Sequence, residues 1–261
     1  MTILWALLQL MRLDSSVLAF LSIFLPLFVR TRDPRLSISR AIPLLFIFIC
    51  TFIANDLDDL EKDTVNHPDR PLPSGSFTPG FAAIVFFLFL GAALFLTKYY
   101  VEPTLAFLYY ALIALTISYG YIVEYLPSLK TLYVAAVACI PIMIVAAYYP
   151  TETRLYVVIV SFFVMTVGRE TCMDIKDRSG DPASFMHRFQ PTSLAVVAFI
   201  LQFLGLALLA SQAHRLGETI ILGIMTASIV ISGVCWFKLS RYKYAIRFMK
   251  VPFFVGLYFL T

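Results

Sequence analysis

Long apolar runs separated by short polar connections dominate this chain. They fall at about residues 3–29, 38–54, 80–97, 104–123, 132–149, 155–167, 193–210, 219–237 and 245–260. A run of about 20 apolar residues is what an α-helix needs to cross the hydrocarbon core of a bilayer. The pattern therefore predicts an all-α integral membrane protein with about nine transmembrane helices packed as a bundle. No soluble segment interrupts the runs, so residues 1–261 read as a single transmembrane domain. Only two polar stretches, residues 55–79 and 169–192, are longer than ordinary connections, and each begins at the end of an apolar helix. Pro68, Pro71, Pro73, Gly75 and Pro79 punctuate the first, and Gly180, Pro182 and Pro191 the second. Such residues end helices and shape loops that can close over a site.

Composition strengthens the membrane reading. The 261 residues are 60% hydrophobic and 14% charged, with a mean hydropathy of +0.85. Soluble domains sit nearer about 45–50% apolar and 25% charged. The first run is too long for a removable signal peptide and carries Arg12 and Asp14 within it. Thirteen basic residues fall on the side of the N-terminus and seven on the other, so the positive-inside rule places the first side in the cytoplasm. The four arginines at positions 30, 32, 35 and 40 oppose that assignment. A net charge of +4 spread over short loops requires no nucleic-acid partner. Cys50, Cys139, Cys172 and Cys235 are scattered, and with His67, His187 and His214 they form neither a disulfide framework nor a zinc pattern.

Two acidic triplets stand out against this apolar background. Asp56, Asp59 and Asp63 occupy relative positions zero, three and seven, and Asp174, Asp177 and Asp181 repeat the spacing 118 positions later (174 minus 56). At about 3.6 residues per turn each triplet lies along one helix face. The offset suggests two related four-helix units followed by a ninth helix. Carboxylates near a bilayer are costly and mark function by default. Magnesium takes oxygen ligands and is commonly shared between one or two carboxylates and substrate phosphates. Lys62 and Arg70 in the first stretch, Arg169, Lys176 and Arg178 in the second, and Lys130 on the same face supply cations for phosphate oxygens.

The run NDLDDLEKD from Asn55 to Asp63, followed by DRPLPSG from Asp69 to Gly75, resembles the NDxxDxxxD signature of the UbiA superfamily of intramembrane prenyltransferases. GRETCMDIKDRSGD, from Gly168 to Asp181, resembles that superfamily's second aspartate motif. The resemblance implies a helical bundle around a central cavity that opens laterally to lipid, with the two motifs facing each other above it as a cytoplasmic acidic cap. It implies a prenyl group transferred from an isoprenyl diphosphate, held by two Mg2+ ions, to an aromatic or lipophilic acceptor in the membrane. Asn55, Asp56, Asp59, Asp63, Asp177 and Asp181 would hold the metals, with Asp174 one turn earlier. Arg70, Lys130 and Arg169 would contact the diphosphate, with Lys176 beside them. Asp59, Asp177 and Lys130 would carry the stabilisation of the leaving group.

An allylic cation left in the cavity would need aromatic faces. Tyr119, Tyr121 and Tyr125, near the cytoplasmic end of the fourth span, are the candidates, Tyr119 foremost. Arg12 and Asp14 are candidates for an acceptor-binding polar group, or for a buried ion pair or helix end near the interface. The segment LMRLDSSVLAFL carries Ser15 and Ser16 where quinone-pathway members commonly have lysine and proline, and PASFMHRFQPTS after Asp181 lacks the usual small-residue and threonine pattern. Both departures bear on the acceptor. A terpene cyclase, quenching the cation within its own chain, would need the same diphosphate site. A cation channel explains the aspartates but not the arginines and lysines beside them, and plain solvated loops explain neither motif.

Overall fold

The computed structural model describes residues 2–178, 188–238 and 241–261, apart from the Val123 side chain. Every element among them is helical. The order is α1 Ile3–Leu10, α2 Leu13–Thr31, α3 Pro34–Asp58, α4 Leu60–Asn66, α5 Pro79–Tyr100, α6 Pro103–Tyr125, α7 Lys130–Tyr148, α8 Thr153–Lys176, α9 Pro191–Ala210, α10 Leu216–Phe237 and α11 Tyr242–Val255. Eight of the described helices, α2, α3 and α5 to α10, are long and apolar enough to cross a membrane. The ninth predicted segment forms the 14-residue α11 and a short 3-10 turn, Gly256–Leu260. This is a multi-pass membrane protein.

Proline sets several helix starts. Pro34, Pro79, Pro103 and Pro191 are the first residues of α3, α5, α6 and α9, where a missing N–H costs nothing and φ is already helical. Asp33 caps α3 by accepting from the backbone N–H of Arg35 at 2.9 Å and Leu36 at 3.1 Å. Thr78 caps α5 through the N–H of Phe81 at 3.2 Å.

Three predicted spans change at their edges. The first divides in two, because Arg12 adopts a left-handed conformation (φ 40°, ψ 54°) between α1 and α2. Arg12 is thus the residue before a helix rather than a charge inside one. The second begins earlier than predicted, at Pro34, and runs to Asp58 with Arg35 and Arg40 inside it. The sixth does not stop at Gly168 but continues to Lys176. Gly168 is a packing residue: a Cβ there would lie 2.4 Å from the carbonyl oxygen of Ala198 on α9. Small residues that let backbones approach are how helices associate in lipid.

The helices up to Tyr125 form one compact unit and those from Lys130 form another. In the first, α3 packs against α2, α5 and α6. Leu10, Ile49, Ile53, Leu72, Ala82 and Val85 form an apolar core beneath the first polar stretch. Thr51 on α3 and Thr116 on α6 share a buried hydrogen bond of 2.8 Å between their hydroxyls, and whichever hydroxyl accepts in that pair donates to its own helix four residues back. In the second unit, α8 packs against α7 and α9, and α10 pairs with α11.

Candidate functional site

The polar end of the first unit is assembled by α3. Asn55 and Asp56 occupy its last turn, Asp59 is the junction to α4 with near-helical torsions (φ −93°, ψ 13°), and Asp63 lies within α4. The N–H of Asp59 donates to Asn55 at 2.9 Å and that of Asp63 to Asp59 at 2.8 Å, so the triplet keeps the spacing of one helix face across the break. Asp56 and Asp63 are buried, at 3% and 4% exposure.

Two arginines serve these buried carboxylates. Arg12 donates to Asp56, and its guanidinium also lies over the Phe52 ring at 5.2 Å. Arg70, from the loop after α4, donates to Asp63 and lies 3.6 Å from Asp56. Burial pushes the Asp63 carboxyl above its ordinary range. Arg70 and His67 pull it down, Asp56 pushes it up, and the net direction is upward. Asp59 is more open: the Tyr119 hydroxyl donates to it at 3.3 Å, and Lys62 stands 3.6 Å away.

The polar end of the second unit is assembled by α8 and the start of α7. Lys130 donates to one oxygen of Asp174 at 3.0 Å and the Thr131 hydroxyl to the other at 2.8 Å. Lys176 donates to Asp177, the residue that ends α8, at 2.5 Å. Arg169 donates to its neighbour Glu170. Asp181 lies outside the described residues.

The sequence reading brought most of these groups together but missed several. Asp58 packs against α6 so closely that a Cβ on Gly120 would lie 2.7 Å from its Oδ2. Thr131 and Glu170, partners of Asp174 and Arg169, were not anticipated, although both adjoin residues that were. The Tyr121 and Tyr125 rings meet at a tilt with centroids 4.5 Å apart and the residues are 61% and 59% exposed, while Tyr119 is buried on Asp59. Arg12 reaches Asp56 from a helix end rather than from inside a span.

Whether these groups suit a metal can be tested on the site itself. The Asn55 side-chain oxygen is buried and accepts no hydrogen bond among the described residues. A buried acceptor without a donor is costly, and a cation would relieve it. Among the described residues no three acidic, histidine or cysteine side chains converge as a chelate. That is compatible with magnesium, which keeps waters and relies on few carboxylates plus phosphate oxygens. Asn55, Asp56, Asp59 and Asp63 on the first unit offer only oxygen ligands, as do Asp174 and Asp177 on the second, and each group by itself suits such an ion.

Fold and site together define a multi-pass helical membrane protein in which each unit ends in a cation-paired cluster of aspartates. Comparison with known proteins gives its family. The UbiA prenyltransferase family model matches residues 1–257, and the chain belongs to that family. A digeranylgeranylglyceryl phosphate synthase of Pyrococcus furiosus is 35% identical over 133 residues, a match covering 50% of this chain and 47% of that protein. The chain thus aligns with about half the length of that relative. Two solved structures share the fold. A UbiA homologue from Aeropyrum pernix K1 superposes with a TM-score of 0.76 at 15% identity, covering 94% of this chain and 96% of the other. A structure of digeranylgeranylglyceryl phosphate synthase superposes with a TM-score of 0.67 at 16% identity, covering 100% and 98%.

Proposed function

We propose that this protein transfers a prenyl group from an isoprenyl diphosphate to a lipophilic acceptor within the membrane, with magnesium held by its two aspartate clusters. The observation that carries this reading is the last turn of α3 in a chain of the prenyltransferase family. There an amide oxygen with no donor among the described residues, three carboxylates and two arginines gather at one helix end.

When bound, magnesium supplies positive charge to a departing diphosphate. The chain's own residues do the rest. Asn55, Asp56, Asp59 and Asp63 hold one set of oxygen ligands, and Asp174, Asp177 and Asp181 the other. Arg12 and Arg70 pair with Asp56 and Asp63 and orient them in a buried setting, which an unpaired carboxylate could not tolerate. Arg70, Lys130, Arg169 and Lys176 are the cations available to diphosphate oxygens, and each already stands beside a carboxylate. Exchanging that carboxylate for a phosphate oxygen keeps the charge paired throughout. Tyr119 fixes the more open Asp59 and offers its ring to the allylic cation. The acceptor belongs to the same lipid phase. The curated relative makes a prenylated glyceryl phosphate, so a prenylglyceryl phosphate is the acceptor to try first. On this proposal the aspartate clusters face the cytoplasm, an orientation that the excess of basic residues supports and the arginines at positions 30, 32, 35 and 40 oppose.

The test is product analysis by mass spectrometry. Purified protein with magnesium is incubated with geranyl, farnesyl or geranylgeranyl diphosphate, with and without phenolic and glyceryl phosphate acceptors. An adduct that requires the acceptor is the expected result. A hydrocarbon or terpene alcohol formed without acceptor would replace the transferase reading with the cyclase.

A further inference from the structure

From Glu218 to Thr261 the chain carries no further Asp or Glu, yet it holds Lys238, Arg241, Lys243, Arg247 and Lys250. Three of these share one face of α11. Lys243, Arg247 and Lys250 stand at relative positions zero, four and seven. The opposite face of the helix, Ala245, Ile246, Met249 and Pro252, is buried. Lys243 and Arg247 are exposed and Lys250 is half-buried.

The end of the unit at which this row begins follows from contacts inside it. Arg154, at the start of α8, donates to Glu218, at the start of α10, at 2.6 Å. α8 and α10 therefore run in the same direction, and the end of α10 lies at the level of Asp174 and Asp177. α11 returns along α10, tied by the Ser232 hydroxyl to the carbonyl of Ala245 at 2.8 Å and by that of Ser228 to Phe248. Trp236 and Tyr242 meet at 4.7 Å where the two helices join. Trp and Tyr at a helix end mark the membrane–water interface.

Measured from Tyr242, Arg247 lies about 8 Å and Lys250 about 12 Å further along the helix at 1.5 Å per residue. Loop cations such as Lys238 and Arg241 orient a membrane protein. Cations one and two turns inside a helix add nothing to that and are costly in hydrocarbon. Among the described residues Lys243 and Arg247 form no ion pair with a carboxylate. Arg247 and Arg241 instead flank the Tyr244 ring at 5.8 Å and 5.9 Å. A row of cations descending from an aromatic interface on an exposed helix face matches anionic lipid headgroups.

We infer that Lys243, Arg247 and Lys250 form a binding site for anionic phospholipid headgroups on α11, at the same end of the second unit as its aspartates. The lipid's phosphate neutralises Lys243 and Arg247, which form no ion pair with a carboxylate among the described residues, and its acyl chains lie along the exposed apolar residues of α11 such as Phe254.

Native mass spectrometry of the purified full chain, titrated separately with phosphatidylglycerol and phosphatidylcholine of identical acyl chains, tests this. The wild type should retain phosphatidylglycerol at least about tenfold more tightly, since each cation near an anionic surface contributes to binding. The variant K243Q/R247Q/K250Q should lose that preference, and K243R/R247K/K250R should keep it. Equal retention of the two lipids by the wild type, or a preference that survives the neutral variant, would overturn the site. If the triple variant cannot be purified, K243Q/R247Q gives the same reading, with a smaller loss expected.

Discussion

The two polar ends are built to one plan and held differently. In the first unit a cation just before the opening long helix, Arg12, reaches an aspartate 44 residues later, Asp56, at the end of the next. In the second unit Lys130 reaches Asp174 across the same 44 residues. The far ends repeat as well: Arg40 pairs with Glu102 and Arg154 with Glu218. The difference lies in the cations. The first unit uses two guanidinium groups on two buried carboxylates, with Arg70 within reach of both Asp63 and Asp56. In the second, ammonium groups reach Asp174 and Asp177, with a hydroxyl assisting at Asp174. A guanidinium is planar, permanently charged and able to span two acceptors, whereas an ammonium is a point charge on a flexible stem. The first end is the rigid member of the pair, and the second is freer to give up its carboxylates.

The largest expected effect falls on both ends alike. Asp59→Ala and Asp177→Ala should each lower kcat/KM by roughly a hundredfold or more, the scale of losing one stabilising group in a charge-separating step. Full activity in either variant, in a steady-state prenyl transfer assay, would remove that residue from the metal set.

Swapping the cations probes the contrast itself. Arg70→Lys should cost about tenfold to a hundredfold in kcat/KM, because one ammonium cannot serve Asp56 and Asp63 together, while Lys130→Arg should stay within about threefold. Equal losses would show that the two ends are not held differently.

At the far ends burial decides. Glu218 is 1% exposed, accepts from the N–H groups of His214 at 2.6 Å and Arg215 at 3.0 Å, and accepts from an Nη of Arg154, whose Nε has no acceptor among the described residues. Glu218→Ala should destabilise by about 3 kcal/mol, the range for breaking a buried pair. Glu102, at 40% side-chain exposure, should cost under about 1 kcal/mol when changed to alanine. Melting temperatures in detergent would rank the two, and a reversed order would refute the burial argument.

The smallest effect belongs to Tyr119→Phe. Losing one hydrogen bond to a half-open carboxylate should reduce activity by less than about tenfold and leave the ring in place. A larger loss, measured as kcat at saturating magnesium, would give the hydroxyl a direct part in the reaction.

Much of this was legible in the order of residues. Membrane character and all-helical class follow from apolar runs, since a bilayer leaves the backbone few other ways to satisfy its polar groups. The aspartate spacing survives into the structure, though α3 ends within the first triplet, at Asp58. The ion pairs were less legible. Arg40 reads as a loop charge that weighs on topology, yet it lies inside α3 and reaches Glu102, 62 residues away. Gly168 reads as a break, but proximity to Ala198 makes it a contact. Tyr119, Tyr121 and Tyr125 are equivalent as residue types and differ only in which face of α6 each occupies.

The sequence by itself therefore determined the solvent in which this protein folds, its helical class, its family and the chemical nature of its acidic ends. These depend on composition and local spacing, which are properties of neighbouring residues. Only the tertiary structure decided that Arg12 serves Asp56, that Lys130 and Thr131 share Asp174, and that Asn55 keeps an acceptor without a donor among the described residues. Those facts depend on which helices pack side by side, and hydropathy, nearly uniform along the spans, carries no record of that choice.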